Sequence, residues 1–241
     1  MFQNDVIGIG LYLGFIAAIG LPVILFKVCC NPPFEIARKL YHLIITLSIF
    51  PLVTFFDAWY MAVLAAFSLV LLGYPALALA ERAAFYKRVM VERQGGEFRS
   101  SLIIVQLSMS ILIFIFWGLL GEEWKYIAVV AVMAWGLGDA AAALVGKTFG
   151  RRRIIHPLIQ GAKTYEGTLA MFVVAGMAIF LTMLIYAGQS WQVSMLAAIL
   201  VAPAGAIVEL FSNRGMDTMT VPLAVAFLVT ILMSSLAFLG V

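Results

Sequence analysis

The chain is a succession of long apolar runs broken by short polar segments. Runs such as Leu69-Val70-Leu71-Leu72 and residues 111–116 are continuous rather than alternating. Continuity excludes the roughly ten-residue alternating strands of a membrane β-barrel. A helix rising about 1.5 Å per residue needs about 20 apolar residues to cross about 30 Å of hydrocarbon. With that ruler the pattern predicts eight spans, at 6–26, 40–56, 58–80, 102–120, 126–145, 167–187, 191–210 and 220–240. The expected fold class is all-α: a polytopic transmembrane helical bundle, with residues 1–241 forming a single integral-membrane domain.

Composition sharpens this. The 241 residues are 64% hydrophobic and only 11% charged, with a mean hydropathy of +1.09, whereas soluble domains are about 25% charged. So few polar residues cannot cover a water-facing surface. A soluble globular enzyme, a disordered chain and a free nucleic-acid-binding module are excluded, so the lipid bilayer is an expected partner and nucleic acid is not.

Charge adds sidedness. Lys27, Arg38 and Lys39 follow the first span, and Arg82, Lys87, Arg88, Arg93 and Arg99 follow the third. Lys147, Arg151, Arg152, Arg153 and Lys163 follow the fifth, and Arg214 follows the seventh. The loops of the other side hold Lys125 alone. Basic loops stay cytoplasmic, so both termini are expected on the non-cytoplasmic side. No Lys or Arg precedes Lys27, so the basic region of a cleaved signal peptide is missing and the first span is expected to be retained. Cys29 and Cys30 make no disulfide framework and are read as inert reduced thiols.

Three acids stand out against this background. Asp139 lies in the apolar stretch 133–146, Glu209 lies near the end of the seventh span after Pro203, and Asp217 just precedes the eighth. A carboxylate at membrane depth costs at least about 2.5–3.5 kcal/mol, so it faces a partner or a wet cavity. A structural ion pair or interhelical hydrogen bond would satisfy Asp139 and Glu209 as well as a functional role would. For Asp217 the competing reading is a helix cap, with Thr218 and Thr220 beside it and Pro222 in the first turn.

The loop from Gly146 to Gly167 carries the densest pattern. Gly146-Lys147-Thr-Phe-Gly150 is followed by Arg151, Arg152 and Arg153, then by Gly161-Ala-Lys163-Thr-Tyr-Glu166-Gly167. Cations among glycines beside a carboxylate suit a polyphosphate: backbone N–H groups approach closely at glycine, Arg and Lys neutralise phosphate oxygens, and acids hold a divalent metal. The plainer alternative for the arginines is a cytoplasmic retention signal. The spacing is not that of a Walker A loop. Arg38 and His42 stand four apart and share a helix face, placing a second cationic pair at the same membrane level. With His42 and His156 the only histidines, a histidine-rich metal site is excluded.

Taken together, these residues resemble the CTP-dependent polyprenol kinase family of dolichol and phytol kinases. Arg38-Lys39-Leu-Tyr-His42 is similar to the family's Arg-Lys-x-x-His. Gly138-Asp139 through Gly146-x-x-Phe149-Gly150, followed by Lys163-Thr-Tyr-Glu166-Gly167, is similar to its central block. Glu209 with Asp217-Thr-Met-Thr220-Val-Pro222-Leu is similar to its C-terminal signature, although Thr218 stands where many members carry Asn. The resemblance implies transfer of the γ-phosphoryl of CTP, with Mg²⁺, to a membrane isoprenoid alcohol at the cytoplasmic face of a bacterial-type membrane. It implies Asp139 and Asp217 as metal ligands, and Asp139, Lys163, Glu166, Glu209 and Asp217 as the catalytic set. Gly146, Lys147, Gly150, Arg151, Arg152, Lys163, Arg38 and His42 would contact nucleotide. Glu166 and Glu209 both remain open as the group acting on the alcohol. Lys163-Thr-Tyr-Glu166-Gly167 also resembles part of the phosphatidate cytidylyltransferases, whose second signature is missing after Glu209; a CTP-dependent diacylglycerol kinase is a further alternative. A small transporter is the non-enzymatic alternative, disfavoured because the polar groups gather at one face and no half-to-half correspondence exists.

Overall fold

In a computed structural model of the chain, residues 2–83, 86–89, 92, 96–159, 161–212 and 215–240 are described, the side chains of 2–6, 87 and 88 excepted. Arg93 and Arg214 of the basic loops, and the side chains of Lys87 and Arg88, lie outside them. The chain divides into two compact helical units, Met1–Leu120 and Gly121–Val241. Among the described residues there is no strand, only an isolated antiparallel bridge between Arg153 and Thr164.

The first unit contains α1 (Phe2–Cys30), α2 (Phe34–Leu47), α3 (Ile49–Thr54), α4 (Trp59–Ala80), the short α5 (Tyr86–Val89) and α6 (Glu97–Ile113), which runs on as a π-helix over Phe114–Leu119. The second contains a 3₁₀ turn (Glu122–Trp124), α7 (Tyr126–Thr148), α8 (Tyr165–Leu181) with a π-helical end over Thr182–Tyr186, α9 (Trp191–Phe211) and α10 (Asp217–Phe238). Among the described residues eight helical stretches are long and apolar enough to cross a membrane, including Phe34–Thr54, Glu122–Thr148, Tyr165–Tyr186, Trp191–Phe211 and Asp217–Phe238. The protein is a multi-pass helical membrane protein, as the apolar pattern predicts.

The boundaries differ from the predicted ones where charge was read as loop. The second span starts at Phe34 rather than 40, so Glu35, Arg38 and Lys39 are helical. Pro33 provides the N-cap in an extended conformation, and one turn on the Arg38 guanidinium holds the Glu35 carboxylate at 2.9 Å, which lowers the cost of charge inside the helix. The same span breaks at Ser48, just before Pro51, whose ring nitrogen has no hydrogen to donate to the preceding turn. Pro203 does not interrupt α9, and Pro222 lies within α10.

At the start of α6, Glu92 accepts from the backbone N–H groups of Gly96 and Phe98 at 3.2 and 3.1 Å and from the Tyr86 hydroxyl at 2.7 Å. Arg99, one turn into α6, pairs with Glu81 at 2.7 Å and lies over the Tyr74 ring. Near mid-helix the hydroxyl of the fully buried Tyr12 donates to Gln106 Oε1 at 3.4 Å.

In the second unit α7 is the central helix. It packs against α8, α9 and α10, and every residue from Ile127 to Trp135 is buried. A helix apolar on all sides has no reason to keep a solvent face, and this one has none along that stretch. Its seam with α8 is built on small residues at four-residue intervals, Gly138, Ala142 and Gly146, the spacing by which membrane helices approach closely. A side chain on Gly167 would meet the Ala142 carbonyl oxygen at 2.9 Å and the Gly146 Cα at 3.3 Å. Gly176, two turns further along α8, has ordinary van der Waals room toward Ala202 at 3.4 Å. Gly167→Ala should therefore destabilise the unit by about 1–3 kcal/mol in thermal unfolding of the detergent-solubilised protein, while Gly176→Ala should leave the midpoint unchanged or raise it.

Candidate functional site

The C-terminus of α7, the N-terminus of α8, the C-terminus of α9 and the N-terminus of α10 lie at one end of the second unit, as up-and-down connection by short loops requires. Asp139 enters from α7 and is half-buried. It follows Gly138 of the α8 seam, so helix geometry turns it by about 100° away from that contact. Lys163 comes from the loop before α8, Glu209 from the last turn of α9, and Asp217 opens α10.

An ion pair between Lys163 and Glu209, 46 residues apart in sequence, holds this end together. The Glu209 side chain is 5% exposed and that of Lys163 27%. Lys163 Nζ also donates to the Glu209 backbone carbonyl at 3.2 Å, so one ammonium neutralises a buried carboxylate and caps the negative end of α9. Asp139 and Asp217 both act on Glu209 by their charge. Of the five residues expected to be catalytic, Lys163 and Glu209 are thus in contact, and Asp139 and Asp217 lie within reach of Glu209 by charge.

Glu166, the fifth, lies against the α7–α8 loop. Thr164 is the N-cap of α8, its hydroxyl accepting from Gly167 N at 3.1 Å, which makes Glu166 a first-turn residue. The Glu166 carboxylate accepts from Arg152 N at 3.3 and 3.4 Å. With Ile154 N donating to Lys163 O at 2.9 Å and Tyr165 N to Arg152 O at 3.1 Å, it closes the α7–α8 loop on itself. Sequence reasoning missed the capping role of Thr164, for which the signal was a threonine three residues before a buried glycine at a helix start.

Gly146 and Gly150 were expected to offer backbone to phosphate. Here both are turned to Thr164: a side chain on Gly146 would meet Thr164 Oγ1 at 3.1 Å, and one on Gly150 would overlap the Gly146 carbonyl and approach Thr164 Cγ2 at 2.8 Å. Close approach of two chain segments is reason enough for glycine at each. Lys147, Arg151, Arg152 and Arg153 are exposed around this loop. The competing cap reading of Asp217 does not hold: the capping position of α10 is Met216 with no side-chain cap, and Thr220 instead donates to Met216 O at 3.0 Å and shares a 2.6 Å hydrogen bond with Ser212.

Arg38 and His42 belong to the first unit. They lie on α2 one turn apart, as expected, with the Arg38 guanidinium held by Glu35 at 2.9 and 3.1 Å and His42 half-buried. A phosphate contact for them rests on the sequence pattern.

Mg²⁺ takes oxygen ligands, and in phosphoryl-transfer sites one or two carboxylates plus substrate phosphates suffice. Asp139 and Asp217 fit that donor set. Among the described residues no group of three or more His, Cys, Asp or Glu could hold a metal by itself, so a preformed protein cage is not what this end offers.

The Lys163–Glu209 pair makes a direct prediction. Glu209→Leu and Lys163→Met should each destabilise the protein by stranding the partner, and the double variant should recover part of the loss. The coupling expected is about 0.5–3 kcal/mol, read from denaturation midpoints of the four proteins; additive losses would mean the pair contributes nothing.

No family model and no solved structure matches the chain. Over 99 residues it is 39% identical to a phytol kinase of Synechocystis sp., the aligned stretch taking in 41% of this chain and 40% of that protein. The chain thus matches about two fifths of the length of this curated relative. The match supports the polyprenol and phytol kinase resemblance drawn from the residues above.

Proposed function

We propose that the protein is a lipid-alcohol kinase that transfers the γ-phosphoryl group of CTP to the hydroxyl of a membrane isoprenoid alcohol, at the end of the second unit where Asp139, Lys163, Glu209 and Asp217 converge. That convergence is the observation carrying the reading, since a bundle needing only to be stable has little use for three carboxylates and one ammonium there. The phytol kinase relative supports the same class of acceptor. By the distribution of Lys and Arg, this end faces the cytoplasm.

Phosphoryl transfer is mostly positioning and charge compensation. Asp139 and Asp217 would hold Mg²⁺, which when bound neutralises charge on the transferring phosphates. Lys163 is paired with Glu209, and Lys147 at the end of α7 and Arg151 and Arg152 on the adjoining loop are exposed and would meet the outer phosphates. Between the two glutamates we favour Glu209 for the acceptor hydroxyl, because both aspartates lie close enough to act on it by their charge while Glu166 accepts from the Arg152 N–H. Glu209 would orient the alcohol and accept its proton as the oxygen bonds to the γ-phosphorus and the bond from that phosphorus to the β,γ-bridging oxygen breaks, releasing CDP.

The test is incubation of the purified protein with Mg²⁺, CTP labelled at the α or γ position, and a panel of phytol, geranylgeraniol, polyprenols, diacylglycerol and phosphatidic acid. Label from the γ position in an alcohol is expected. Label from the α position in phosphatidic acid would mean a cytidylyltransferase, the second reading that the Lys163-Thr-Tyr-Glu166-Gly167 string supports. Asp139→Asn should keep the fold and lower turnover by on the order of 10²-fold or more; a folded Asp139→Asn protein with normal Mg²⁺-dependent turnover would remove Asp139 from the metal site.

A further inference from the structure

The α7–α8 loop carries a feature that the site does not use. Ile155 is 94% exposed, Phe149 70% and Leu158 65%. Exposed apolar side chains are ordinary on the lipid-facing sides of the spans, but these three lie between Thr148 and Tyr165, where one span has ended and the next has not begun. The exposed cations Lys147, Arg151, Arg152 and Arg153 flank Phe149 and precede Ile155 and Leu158.

The loop is not slack. The Arg153–Thr164 bridge closes its base. Within it, Leu158 N donates to His156 Nδ1 at 3.2 Å, Ile159 N donates to the His156 carbonyl at 3.0 Å, and the His156 ring meets Phe211 of α9 edge-on at 6.1 Å between centroids. Held this way, Ile155 and Leu158 gain nothing by collapsing inward. Beside them is a cleft of about 400 Å³ whose walls include Arg153 and His156 as well as Ile154, Ile155 and Ile159.

We infer that this loop is an interfacial anchor that docks on the anionic phospholipid surface of the surrounding bilayer, with Ile155 and Leu158 entering the headgroup layer and Arg153 meeting lipid phosphate. The occupant follows from position and charge. Both ends of the loop are fixed at span ends, and the headgroup region beyond the hydrocarbon is where a mixed apolar and cationic surface is stable. Each Lys or Arg near an anionic leaflet adds a comparable increment of attraction, and the only acid among residues 147–166 is Glu166, already engaged by the Arg152 N–H. Docking at one end and the Lys163–Glu209 pair at the other would fix the loop at a set depth. The inference does not require the kinase reading.

The test uses the full chain in lipid nanodiscs. Cys29 and Cys30 are exposed, so both are replaced by serine, and an environment-sensitive fluorophore is placed through Ile155→Cys and, separately, Leu158→Cys. In discs containing phosphatidylglycerol the probe should be quenched by headgroup-level nitroxide lipids and shielded from aqueous iodide. Discs of phosphatidylcholine alone should show markedly less shielding. Arg153→Gln, whose main-chain bridge to Thr164 is kept, should lower the anionic-lipid preference about fivefold. Full iodide access at both positions in both lipids would overturn the inference. So would shielding that ignores lipid charge and Arg153, or shielding that appears only on adding CTP or inorganic phosphate. No turnover is measured, so a failed kinase assay leaves the result standing.

Discussion

Carboxylates buried at the end of an apolar bundle have to be answered by a charge, and in this protein the answer is Lys163. Its ammonium reaches both the side chain and the backbone carbonyl of Glu209, so it ties the loop before α8 to the last turn of α9. Asp139 and Asp217 act on the same glutamate from α7 and α10. One cation and three acids thus involve all four long helices of the second unit. Burial of an ion pair is weak evidence for stability, since well-packed apolar residues often do as well. Under the proposed function it is the resting arrangement of a site that would handle phosphate.

The rest of the unit is arranged so that this end can be charged. α7 packs against α8, α9 and α10, is buried throughout from Ile127 to Trp135, and presents Asp139 half-buried beyond that stretch. Glycine at 146, 150 and 167 brings the α7–α8 turn so close that Thr164 can cap α8 from between them. The cap and the Glu166 tether then leave Lys163 directed at α9. Packing, capping and charge placement are three aspects of the same few residues, which is why the loop cannot be divided cleanly into structural and chemical parts.

Much of this was legible in the sequence. Eight apolar runs predicted eight spanning helices because length and continuity fix that outcome almost regardless of detail. The grouping of Asp139, Lys163, Glu209 and Asp217 could be anticipated because each is costly where it stands and all fall near the same ends of consecutive spans. What escaped was everything set by contact between segments distant along the chain. Gly146 and Gly150 were read only as phosphate cradles, and the close approach of Thr164 to both was not foreseen. Glu166 looked equivalent to Glu209 until the Arg152 N–H was found against it. The helix from Phe34 began earlier than expected because the Glu35–Arg38 pair offsets charge that composition alone assigns to a loop.

The central placement of α7 also has a consequence for how the chain is made. Asp139 emerges from the ribosome before Lys163, and well before α9 and α10 supply the walls that enclose it. For that interval α7 carries its acid through the insertion machinery before the helices that pack around it have been made, at a cost of about 2.5–3.5 kcal/mol that its long apolar run offsets.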